Sequence, residues 1–421
     1  MTDKIKEVID GFKKSFWVAN IMELFERIAY YGQATILSIY LRDYLKFTER
    51  EAGQLSSIFG GLIYFLPIFA GAIADKIGFR KAFMFAFSVL AFGYFLIGSI
   101  AMEQFAGLYG NMDRYPLLVA ILVFTAIGGS FIKPSVLGTI AFTSTEKTKS
   151  LGYAIYYWLV NIGGAVGPLI AYFVRDSIGI QAVFVVSAVS CLLMVISTFI
   201  FFEEPTTADQ RTTKSLGELF MNLLRVLSNI KFMIFLTIFA MYWLMFWQIF
   251  IIIPYYVTDF ISKDAPFELI QSVGAWSIIL LQLVINRLTK DIRTIYAIIL
   301  GFAISALCWG IIFLNPTIPM VIAGLVVFSI GEQTQAPRYY EYIADIAPKG
   351  QVGLFQGYAF LPVAMGWVFG GTMGGYLYET FAKAQNNPNA IFLILFGIGI
   401  LATLCMFFYN MLFNKTPSHS N

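Results

Sequence analysis

The 421-residue chain is 58% hydrophobic and 17% aromatic, and only 13% of its residues are charged. A membrane-spanning helix needs about 20 mostly apolar residues, so this composition predicts an integral membrane protein of roughly a dozen spans and excludes a water-soluble enzyme. The formal net charge of +3 comes from scattered residues without a run of Lys or Arg, which excludes a nucleic-acid-binding surface.

Side chains suited to metal or redox chemistry are few. The single histidine, His419, lies in a polar segment, so proton chemistry within the membrane must use carboxylates. The three cysteines lie in apolar stretches without paired spacing and are predicted to be packing residues: Cys191, Cys308 and Cys405. We therefore expect no metal ion, no disulfide and no cofactor.

Apolar runs between charged or Gly/Pro breaks predict twelve spans. Residues 1–14 are polar, and the apolar stretch after them is too long and too charged for a cleavable signal peptide. The first six spans are predicted at 15–44, 52–75, 81–102, 115–140, 151–174 and 180–203. The second six are predicted at 231–258, 267–288, 294–314, 319–345, 352–381 and 389–413.

The segment between the two sets of spans is polar at first and then amphipathic. Apolar residues recur at helical spacing over 215–229, which predicts a helix lying on the inner membrane face. We expect a six-helix bundle over 1–203, a cytoplasmic linker over 204–230 and a second six-helix bundle over 231–421. This outline is typical of a parallel-repeat transporter whose substrate site lies at the membrane midplane.

Lys and Arg are unevenly divided between alternate loops, with 18 on the side of the N-terminus and seven on the other side. The positive-inside rule therefore predicts that both termini are cytoplasmic. The other three basic residues, Arg27, Lys133 and Arg338, are predicted at membrane depth. A charge at that depth is costly and is a functional candidate by default.

The loop between spans 2 and 3 reads Gly71-Ala-Ile-Ala-Asp75-Lys-Ile-Gly78-Phe-Arg80-Lys81. It resembles the G-x-x-x-D-x-x-G-x-[RK]-[RK] loop of the major facilitator superfamily. Gly71 would allow close helix approach, Gly78 a tight turn, and Asp75 would meet a cation or a helix N-terminus in one transport state. We interpret the loop as a gate, because a plain cytoplasmic turn explains only Arg80 and Lys81.

Span 1 carries charged and aromatic residues on one face. At 100° per residue, Glu23, Glu26, Arg27 and Tyr30 fall within an arc of about 100°, with Tyr31 at its edge. A charge at mid-bilayer costs about 2.5–3.5 kcal/mol on insertion scales, so we expect these charges to pair and to line a water-filled cavity. The alternative is a buried ion pair that only orients the helix, which apolar residues would do at lower cost.

Motifs over most of the chain resemble those of the proton-dependent oligopeptide transporter family. Span 1 is similar to its ExxER(F)xYYG motif, span 4 to its G-x-G-x-x-K-P-N segment and span 5 to its F-Y-x-x-[IV]-N-x-G signature. A tyrosine in span 2 and the G-E…A-P-K stretch of span 10 also match. The matching residues are Glu23, Glu26, Arg27, Tyr30, Tyr31, Gly32, Tyr64, Gly128 to Ser135, Tyr156 to Gly163, Gly331, Glu332 and Ala347 to Lys349.

The resemblance implies an all-α membrane protein with the major facilitator superfamily fold, in which 12 transmembrane helices form two six-helix bundles. It implies that Arg27 and Lys133 hold a substrate carboxylate and that Glu332 faces the substrate's amino terminus. Glu23 and Glu26 would take part in proton coupling beside Lys133. The other implied substrate contacts are Tyr30, Tyr31, Tyr64, Asn161, Trp247 and Gln248.

Several positions depart from the family pattern. The family carries a Glu before a Gln in span 7, where this chain has Trp247 and Gln248, so one carboxylate is missing. Ala359 stands where the family has a pocket Trp, and the segment 203–230 is too short for the two extra helices of many bacterial members. We therefore expect a compact, divergent member whose proton coupling is intact, altered or lost.

Span 10 adds Arg338 and Glu341, three residues apart, which are spaced to pair on a helix. Two interpretations remain open for this pair. It belongs either to an altered pocket in the second half of the chain or simply to the cytoplasmic end of the span.

These patterns together predict a proton-coupled symporter that imports di- and tripeptides or similar zwitterions by alternating access. We expect a monomer in the plasma or inner membrane, with its substrate, protons and lipid as partners. One alternative is a transporter of the same fold for another small zwitterion, a drug or an anion. The other is a membrane-embedded receptor or scaffold, against which the lack of a sizeable soluble domain argues.

Overall fold

The computed structural model describes residues 11–110, 112–145, 148–207 and 216–413. Every regular element in these ranges is helical. The α-helices in chain order are α1 (Lys14–Ile39), α2 (Glu49–Phe65), α3 (Pro67–Ile77), α4 (Phe79–Ser99), α5 (Ala106–Tyr109), α6 (Arg114–Ser130), α7 (Ile132–Thr143), α8 (Lys149–Ser177), α9 (Ile180–Phe201), α10 (Leu216–Leu227), α11 (Ile230–Tyr256), α12 (Phe267–Thr289), α13 (Thr294–Leu314), α14 (Ile318–Ile346), α15 (Val352–Gly357), α16 (Leu361–Leu377) and α17 (Asn389–Phe413).

Twelve helical segments coincide with the twelve predicted spans to within a few residues. Within the described ranges, ten segments are long and apolar enough to cross a membrane, and α2 with α3, bent by 45°, makes an eleventh. The twelfth is α1, which has 26 residues but carries Glu23, Glu26 and Arg27 among its apolar residues. The predicted all-α, twelve-helix fold class is confirmed, and α1 stands apart because of its charges.

A proline-associated break divides span 4 beside its lysine. Helix α6 ends at Ser130 and α7 begins at Ile132, and the amide of Phe131 donates to the carbonyl of Gly128 at 3.2 Å. Pro134, in the first turn of α7, has no amide hydrogen and does not continue the hydrogen-bond ladder. The break therefore places Lys133 in the first turn of a new helix inside the span.

Three spans end in a π-helical turn, a rare geometry that often marks functional positions. Spans 1, 7 and 11 finish in this way. The three turns are Tyr40–Tyr44, Val257–Ile261 and Tyr378–Ala384.

The described residues divide into two units. Unit 1 runs to Phe47 and resumes over Ile58–Leu216, and unit 2 holds Thr48–Ser57 and the residues from Gly217 onward. Within unit 1, α1 packs against α8 and α9, and α4 packs against α6 and α9. Within unit 2, α11 packs against α16 and α17, and α14 packs against α12 and α13. The bundle boundaries drawn from the sequence stay a prediction.

Helix α10 lies within the stretch where the sequence predicts an amphipathic helix. Its residues Leu219 and Val226 are buried in the protein, whereas Phe220, Met221 and Leu224 are exposed. The helix therefore presents apolar side chains on an outer face as well as an inner one. Its position on the inner membrane face stays a prediction.

Candidate functional site

Span 1 brings three of its charged side chains together inside unit 1. Glu23 and Glu26 are fully buried, and Arg27 is 3% exposed. The Nε of Arg27 donates to Glu26 Oε2 at 2.5 Å and lies 3.3 Å from Glu23 Oε1, and Arg27 Nη2 also pairs with Glu26 Oε2. One guanidinium thus holds two carboxylates, and a second cation is needed to balance their charge.

Lys133 of α7 supplies that cation. It interacts electrostatically with Arg27, Glu23 and Glu26, and its Nζ lies 4.8 Å from the centroid of the Tyr64 ring. We call these four residues the charged cluster: Glu23, Glu26, Arg27 and Lys133. This cluster holds two cations and two carboxylates, so a negative charge can bind there only if one of the carboxylates is displaced or protonated.

Aromatic side chains border the charged cluster. The Arg27 guanidinium carbon lies 4.9 Å from the centroid of the Tyr30 ring, and the Tyr31 ring meets Tyr30 edge-on at 5.3 Å. Such contacts stabilise a cation without neutralising it. Tyr30 is buried and Tyr31 half-buried, so the more accessible of the two predicted tyrosines is Tyr31.

The carboxylates of the cluster keep unused acceptor atoms. Glu23 Oε2 and Glu26 Oε1 are buried and accept no hydrogen bond from the residues that the structure describes. Each carboxylate therefore keeps one oxygen that no donor of the described residues reaches. In the same described ranges, no three His, Cys, Asp or Glu side chains are grouped as metal ligands.

Small residues of α8 fix the position of Arg27. A Cβ added to Gly163 would collide with the Cβ of Arg27, and one added to Gly167 would lie 2.6 Å from the carbonyl oxygen of Ile28 and 2.9 Å from the amide of Gly32. Helices α1 and α8 can approach this closely only because these positions lack side chains. The predicted contact Asn161 lies on the same helix, and its Nδ2 donates to the carbonyl of Tyr157 at 2.8 Å.

Unit 2 places the predicted residues Trp247 and Gln248 in an apolar setting. Both are buried on α11. Gln248 Nε2 donates to the carbonyls of Leu244 and Gly370, each at 2.9 Å, and the Trp247 ring stacks on Trp367 at 4.1 Å. Gln248 therefore fastens α11 to α16, where its amide serves packing.

Two tryptophans that the sequence analysis did not single out complete this region. Trp367 of α16 stacks on Trp247 with ring centroids 4.1 Å apart, and the Trp243 ring centroid lies 5.9 Å from that of Trp247. The Nε1 atoms of Trp243 and Trp367 are buried and have no hydrogen-bond acceptor among the described residues. Gly366, beside Trp367, lets the helices approach here, because a Cβ added to it would lie 2.5 Å from the Cβ of Trp243.

Two charged residues of α14 have different surroundings. Glu332, in the middle of α14, is half-buried. Arg338 pairs with Glu341 at 2.9 Å and donates to the carbonyls of Thr289 and Lys290 at 3.3 and 3.1 Å. Arg338 therefore caps the last turn of α12. Of the two open interpretations, these contacts favour the end of the span. The depth of Arg338 in the membrane stays a prediction.

Comparison with known proteins places this architecture in a family. The family model described as Major Facilitator Superfamily matches residues 20–261 and again residues 249–420. The chain belongs to the Major Facilitator Superfamily. The superfamily fold predicted from the loop after span 2 is confirmed.

Superfamily members that transport peptides are among its relatives. The chain is 29% identical over 190 residues to dipeptide and tripeptide permease B of Aliivibrio fischeri (strain MJ11), which is 44% of this chain and 36% of the permease. It is 30% identical over 194 residues to dipeptide and tripeptide permease A of Salmonella typhi, which is 45% of this chain and 36% of that permease. The matched segment thus spans about a third of each permease. The predicted resemblance to the proton-dependent oligopeptide transporter family is confirmed.

Solved superfamily structures share the fold over nearly the whole chain. A POT family transporter in complex with 5-aminolevulinic acid superposes with a TM-score of 0.77 at 17% identity, over 95% of this chain and 96% of that one. A POT family transporter in complex with a thioalcohol-conjugated peptide gives 0.78 at 17% identity, over 97% and 100%. At this identity the likeness establishes the fold.

The superfamily loop between spans 2 and 3 forms a sharp turn. Gly78 has a φ of 93° and separates α3 from α4, as only a glycine does readily. Gly71 faces Pro134, where an added Cβ would make an ordinary contact at 3.4 Å. Asp75 is half-buried, and Lys81 is exposed.

A glutamate from elsewhere in the chain caps the helix that follows this loop. The amides of Phe79 and Arg80 donate to the Glu204 carboxylate at 3.2 and 2.9 Å, and Arg80 Nη2 donates to the carbonyl of Phe199 at 2.7 Å. A carboxylate at a helix N-terminus is stabilised by the unpaired amides there. Glu204 was not predicted as a cap from the sequence, where its signal is an acidic pair directly after span 6.

Proposed function

We propose that the chain is a secondary transporter that imports di- and tripeptides, or zwitterions like them, together with protons by alternating access. The observation that carries this proposal is the charged cluster, in which two buried carboxylates both pair with Arg27 within electrostatic reach of Lys133. A substrate carboxylate can bind Arg27 only if Glu23 or Glu26 first releases it. Protonation of that glutamate is the simplest way to release it, and it ties substrate binding to proton binding.

The cycle follows from this exchange. In the state open to the outside, a proton on Glu23 or Glu26 frees the planar fork of Arg27, which binds a carboxylate through two parallel hydrogen bonds. Lys133 adds a second positive charge beside it. Closure removes water and strengthens both interactions, and opening to the inside lets the proton leave and the internal ion pair form again. Re-formation of that pair expels the substrate.

Glu332 of unit 2 is proposed to take the positive end of the substrate. Among the described residues it forms no ion pair, unlike Glu341 on the same helix, which pairs with Arg338. A carboxylate at membrane depth without a cation is costly, and a substrate ammonium removes that cost while it is bound. Tyr31, Tyr64 and Asn161 are proposed to bond the peptide backbone.

The relatives support a peptide or peptide-like substrate. The permeases named above take their names from dipeptides and tripeptides, and the solved neighbours hold a conjugated peptide and 5-aminolevulinic acid. All of these ligands carry a carboxylate, which is what Arg27 and Lys133 would bind. We propose a location in the plasma or inner membrane with both termini cytoplasmic, on the basis of the uneven division of Lys and Arg.

Uptake by the purified protein in liposomes tests the substrate class. Labelled dialanine should enter liposomes that contain the protein faster than empty liposomes, and excess unlabelled trialanine should compete. The Arg27→Gln variant should take up no more than empty liposomes. Uptake that trialanine leaves unchanged would contradict the peptide assignment.

A second candidate is transport of a zwitterion other than a peptide, favoured by the stack of Trp247 on Trp367 at 4.1 Å where the family carries a carboxylate. In the same liposomes, labelled 5-aminolevulinic acid should then be taken up, and excess unlabelled trialanine should not compete with it. Competition by trialanine alone would exclude this candidate.

A further inference from the structure

A groove lies in unit 1 where α1, α8 and α9 meet, and it is called the three-helix groove below. Its volume is about 250 Å³. The floor is buried, since Ala29, Ala171 and Val183 are at most 4% exposed. The rim is apolar and exposed, with Phe25 at 43% and Leu193 at 54%. In a protein that spans a membrane, an exposed apolar rim contacts the hydrocarbon chains of lipid.

The three-helix groove runs along one half of the membrane. At one end Val174 and Val183 each lie three residues from the ends of α8 and α9 that face each other. At the other end Leu193 is ten residues further along α9, which is about 15 Å at 1.5 Å per residue. The hydrocarbon core is about 30 Å thick, so the groove has the depth of one leaflet. Because span 5 ends opposite the N-terminus, that leaflet is the one on the side opposite the N-terminus.

Two glycines of the crossing between α1 and α8 line the three-helix groove. They are Gly32 and Gly167. A Cβ added to Gly32 would lie 3.2 Å from the carbonyl oxygen of Gly167 and 3.9 Å from the Cβ of Ala171. The backbones approach closely here because side chains are absent, and the same absence leaves the surface above them unfilled. Whatever occupies the groove therefore lies against the crossing that positions Arg27.

The wall of the three-helix groove offers little to a polar ligand. The Ser187 hydroxyl, which lines it, donates to the carbonyl of Ala29 at 3.2 Å. The Ser190 hydroxyl is buried and has no hydrogen-bond partner among the described residues. A polar solute would lose its hydration in such a groove without replacement hydrogen bonds. An alkyl chain has no hydration to lose, so it is the occupant that this wall suits.

A cation lies at the end of the three-helix groove that is nearest the membrane surface. Arg175 follows the lining residue Val174 in the last turn of α8. It is half-buried, and its guanidinium carbon lies 5.9 Å from the centroid of the Tyr172 ring. A guanidinium binds phosphate through two parallel hydrogen bonds, and tyrosine is typical of the depth at which lipid headgroups lie. The cation and the apolar groove are thus arranged like the phosphate and the alkyl chain of a phospholipid.

We propose that the three-helix groove binds one acyl chain of a phospholipid from the leaflet opposite the N-terminus, with the lipid phosphate at Arg175. The bound chain fills the surface beside Gly32 and Gly167 and so stabilises the crossing on which Arg27 lies. The site does not depend on the transported substrate, since the described lining residues include none of the charged cluster.

Photolabelling of the whole protein in dodecyl maltoside tests the site. The probe is a phosphatidylcholine with a diazirine on one acyl chain, and labelled residues are mapped by peptide mass spectrometry. Labelling within 167–193 should saturate as lipid is added. A diazirine at the chain terminus should label residues near Leu193, and one close to the ester should label residues near Val174. A diacylglycerol with the same diazirine lacks the phosphate and should need about fivefold more lipid for half-saturation.

A substitution that fills the three-helix groove distinguishes it from lipid contact in general. Ser190→Phe places a ring where the chain would lie and should raise the half-saturating lipid concentration about tenfold. Ser197→Phe is the matched control, because Ser197 is also half-buried on α9 and does not line the groove. It should stay within about twofold of the parent. If Ser190→Phe fails to fold, Ser190→Leu replaces it with a smaller increase expected.

A second pair of variants tests the phosphate contact. Arg175→Gln should raise the half-saturating concentration of the phosphatidylcholine probe about fivefold, to that of the diacylglycerol probe. Arg114→Gln is the control, since Arg114 is exposed at the start of α6 on the same side of the membrane. It should leave both probes unchanged.

Thermal unfolding checks whether the lipid stabilises the crossing. A ligand that binds only the folded protein raises its unfolding temperature. Added phosphatidylcholine should therefore raise the unfolding temperature of the parent and of Ser197→Phe, and it should raise that of Ser190→Phe less. An equal rise in all three proteins would mean that the lipid acts elsewhere.

Three labelling results would overturn the proposal. They are a Ser190 variant that is labelled like the parent, a parent that half-saturates equally with both lipids, and the same labelled residues from both diazirine positions. A protein that forms dimers in gel filtration and takes no label within 167–193 would assign the groove to a second copy of the chain instead. Because labelling needs no substrate, a protein that takes up no peptide would refute the proposed function and leave the lipid site standing.

Discussion

Helices α1 and α8 of unit 1 cross in the same way as α11 and α16 of unit 2. In unit 1, Gly163 faces the Cβ of Arg27, and in unit 2, Gly366 faces the Cβ of Trp243. The same spacing recurs four residues later, where Gly167 faces Ile28 and Gly32, and where Gly370 faces Leu244 and Gln248. The crossing of α1 with α8 therefore places the cation Arg27 opposite a glycine, and the crossing of α11 with α16 places the indole of Trp243 opposite a glycine.

A helix crossing packed on glycines can thus serve two kinds of chemistry. Glycines on the second helix fix the distance between the backbones, and the residue opposite them on the first helix decides what the crossing holds. Unit 1 holds the charged cluster and unit 2 a stack of tryptophans. The charges that the account assigns to proton coupling are therefore confined to unit 1.

The largest expected effect is at Arg27. Arg27→Gln leaves Glu23 and Glu26 buried without their guanidinium, which should lower the free energy of unfolding by about 3–5 kcal/mol and abolish peptide uptake. Urea unfolding in detergent and liposome uptake measure the two losses. Arg225→Gln is the control, because Arg225 is exposed on α10 and its side chain donates to Asn222.

A second substitution at the same crossing shows whether lost charge pairing or lost packing causes the instability of Arg27→Gln. Arg27→Gln/Glu26→Gln removes one carboxylate as well as the cation, so it should recover part of the lost stability but none of the uptake. A double variant as unstable as Arg27→Gln would show that packing, and not charge, sets the cost.

Glu332 is expected to give the next largest effect. Glu332→Gln keeps the shape and removes the charge that would bind a substrate ammonium. A charge-assisted hydrogen bond contributes about 1.5–3 kcal/mol, so KM for dialanine should rise about 10- to 100-fold. Glu341→Gln on the same helix should leave KM unchanged. An N-acetylated dipeptide, which has no ammonium, should distinguish little between wild type and Glu332→Gln.

The two facing glycines give a matched test of the comparison itself. Gly163→Ala and Gly366→Ala both introduce a Cβ where there is no room, and each should lower the free energy of unfolding by about 1–3 kcal/mol. Gly163→Ala should also reduce uptake because it displaces Arg27. Gly353→Ala is the control, since nothing lies within 4 Å of its added Cβ. A Gly366→Ala protein of wild-type stability would mean that the two crossings are not equivalent.

The smallest effect is expected at the start of α4. Its first amides bond Glu204, whereas α13 of unit 2 begins at Thr294 with no hydrogen bond from its N-cap side chain. Glu204→Ala should cost about 0.5–2 kcal/mol in thermal or chemical unfolding. Glu203→Ala, which removes only an exposed pair with Lys14, should cost about 0–1 kcal/mol. Equal losses in the two variants would contradict the capping role.

Local patterns predicted much of this molecule. The twelve spans follow from apolar length, and the proximity of Glu23, Glu26 and Arg27 follows from helical spacing on one segment. What the sequence did not reveal depends on contacts between distant segments. Trp367 meets Trp247, and Glu204 meets Phe79, across more than a hundred residues, and a single sequence carries no pairing information at that separation.

The π-helical turn Tyr378–Ala384, at the end of span 11, is a further case. Glu379 and Lys383 read as ordinary charges between two spans, because their partners Glu49 and Arg50 lie more than three hundred residues away. The departure at Trp247 was visible in the sequence, but its consequence was not. Only the structure shows that an indole from another span stacks against it.

Accumulation of labelled dialanine in liposomes with an inward proton gradient tests most directly whether the charged cluster couples protons to substrate. Wild type should concentrate the peptide above equilibrium only with the gradient. Glu23→Gln and Glu26→Gln should exchange labelled for unlabelled peptide without concentrating it. Accumulation by both glutamine variants at the wild-type level would contradict the account.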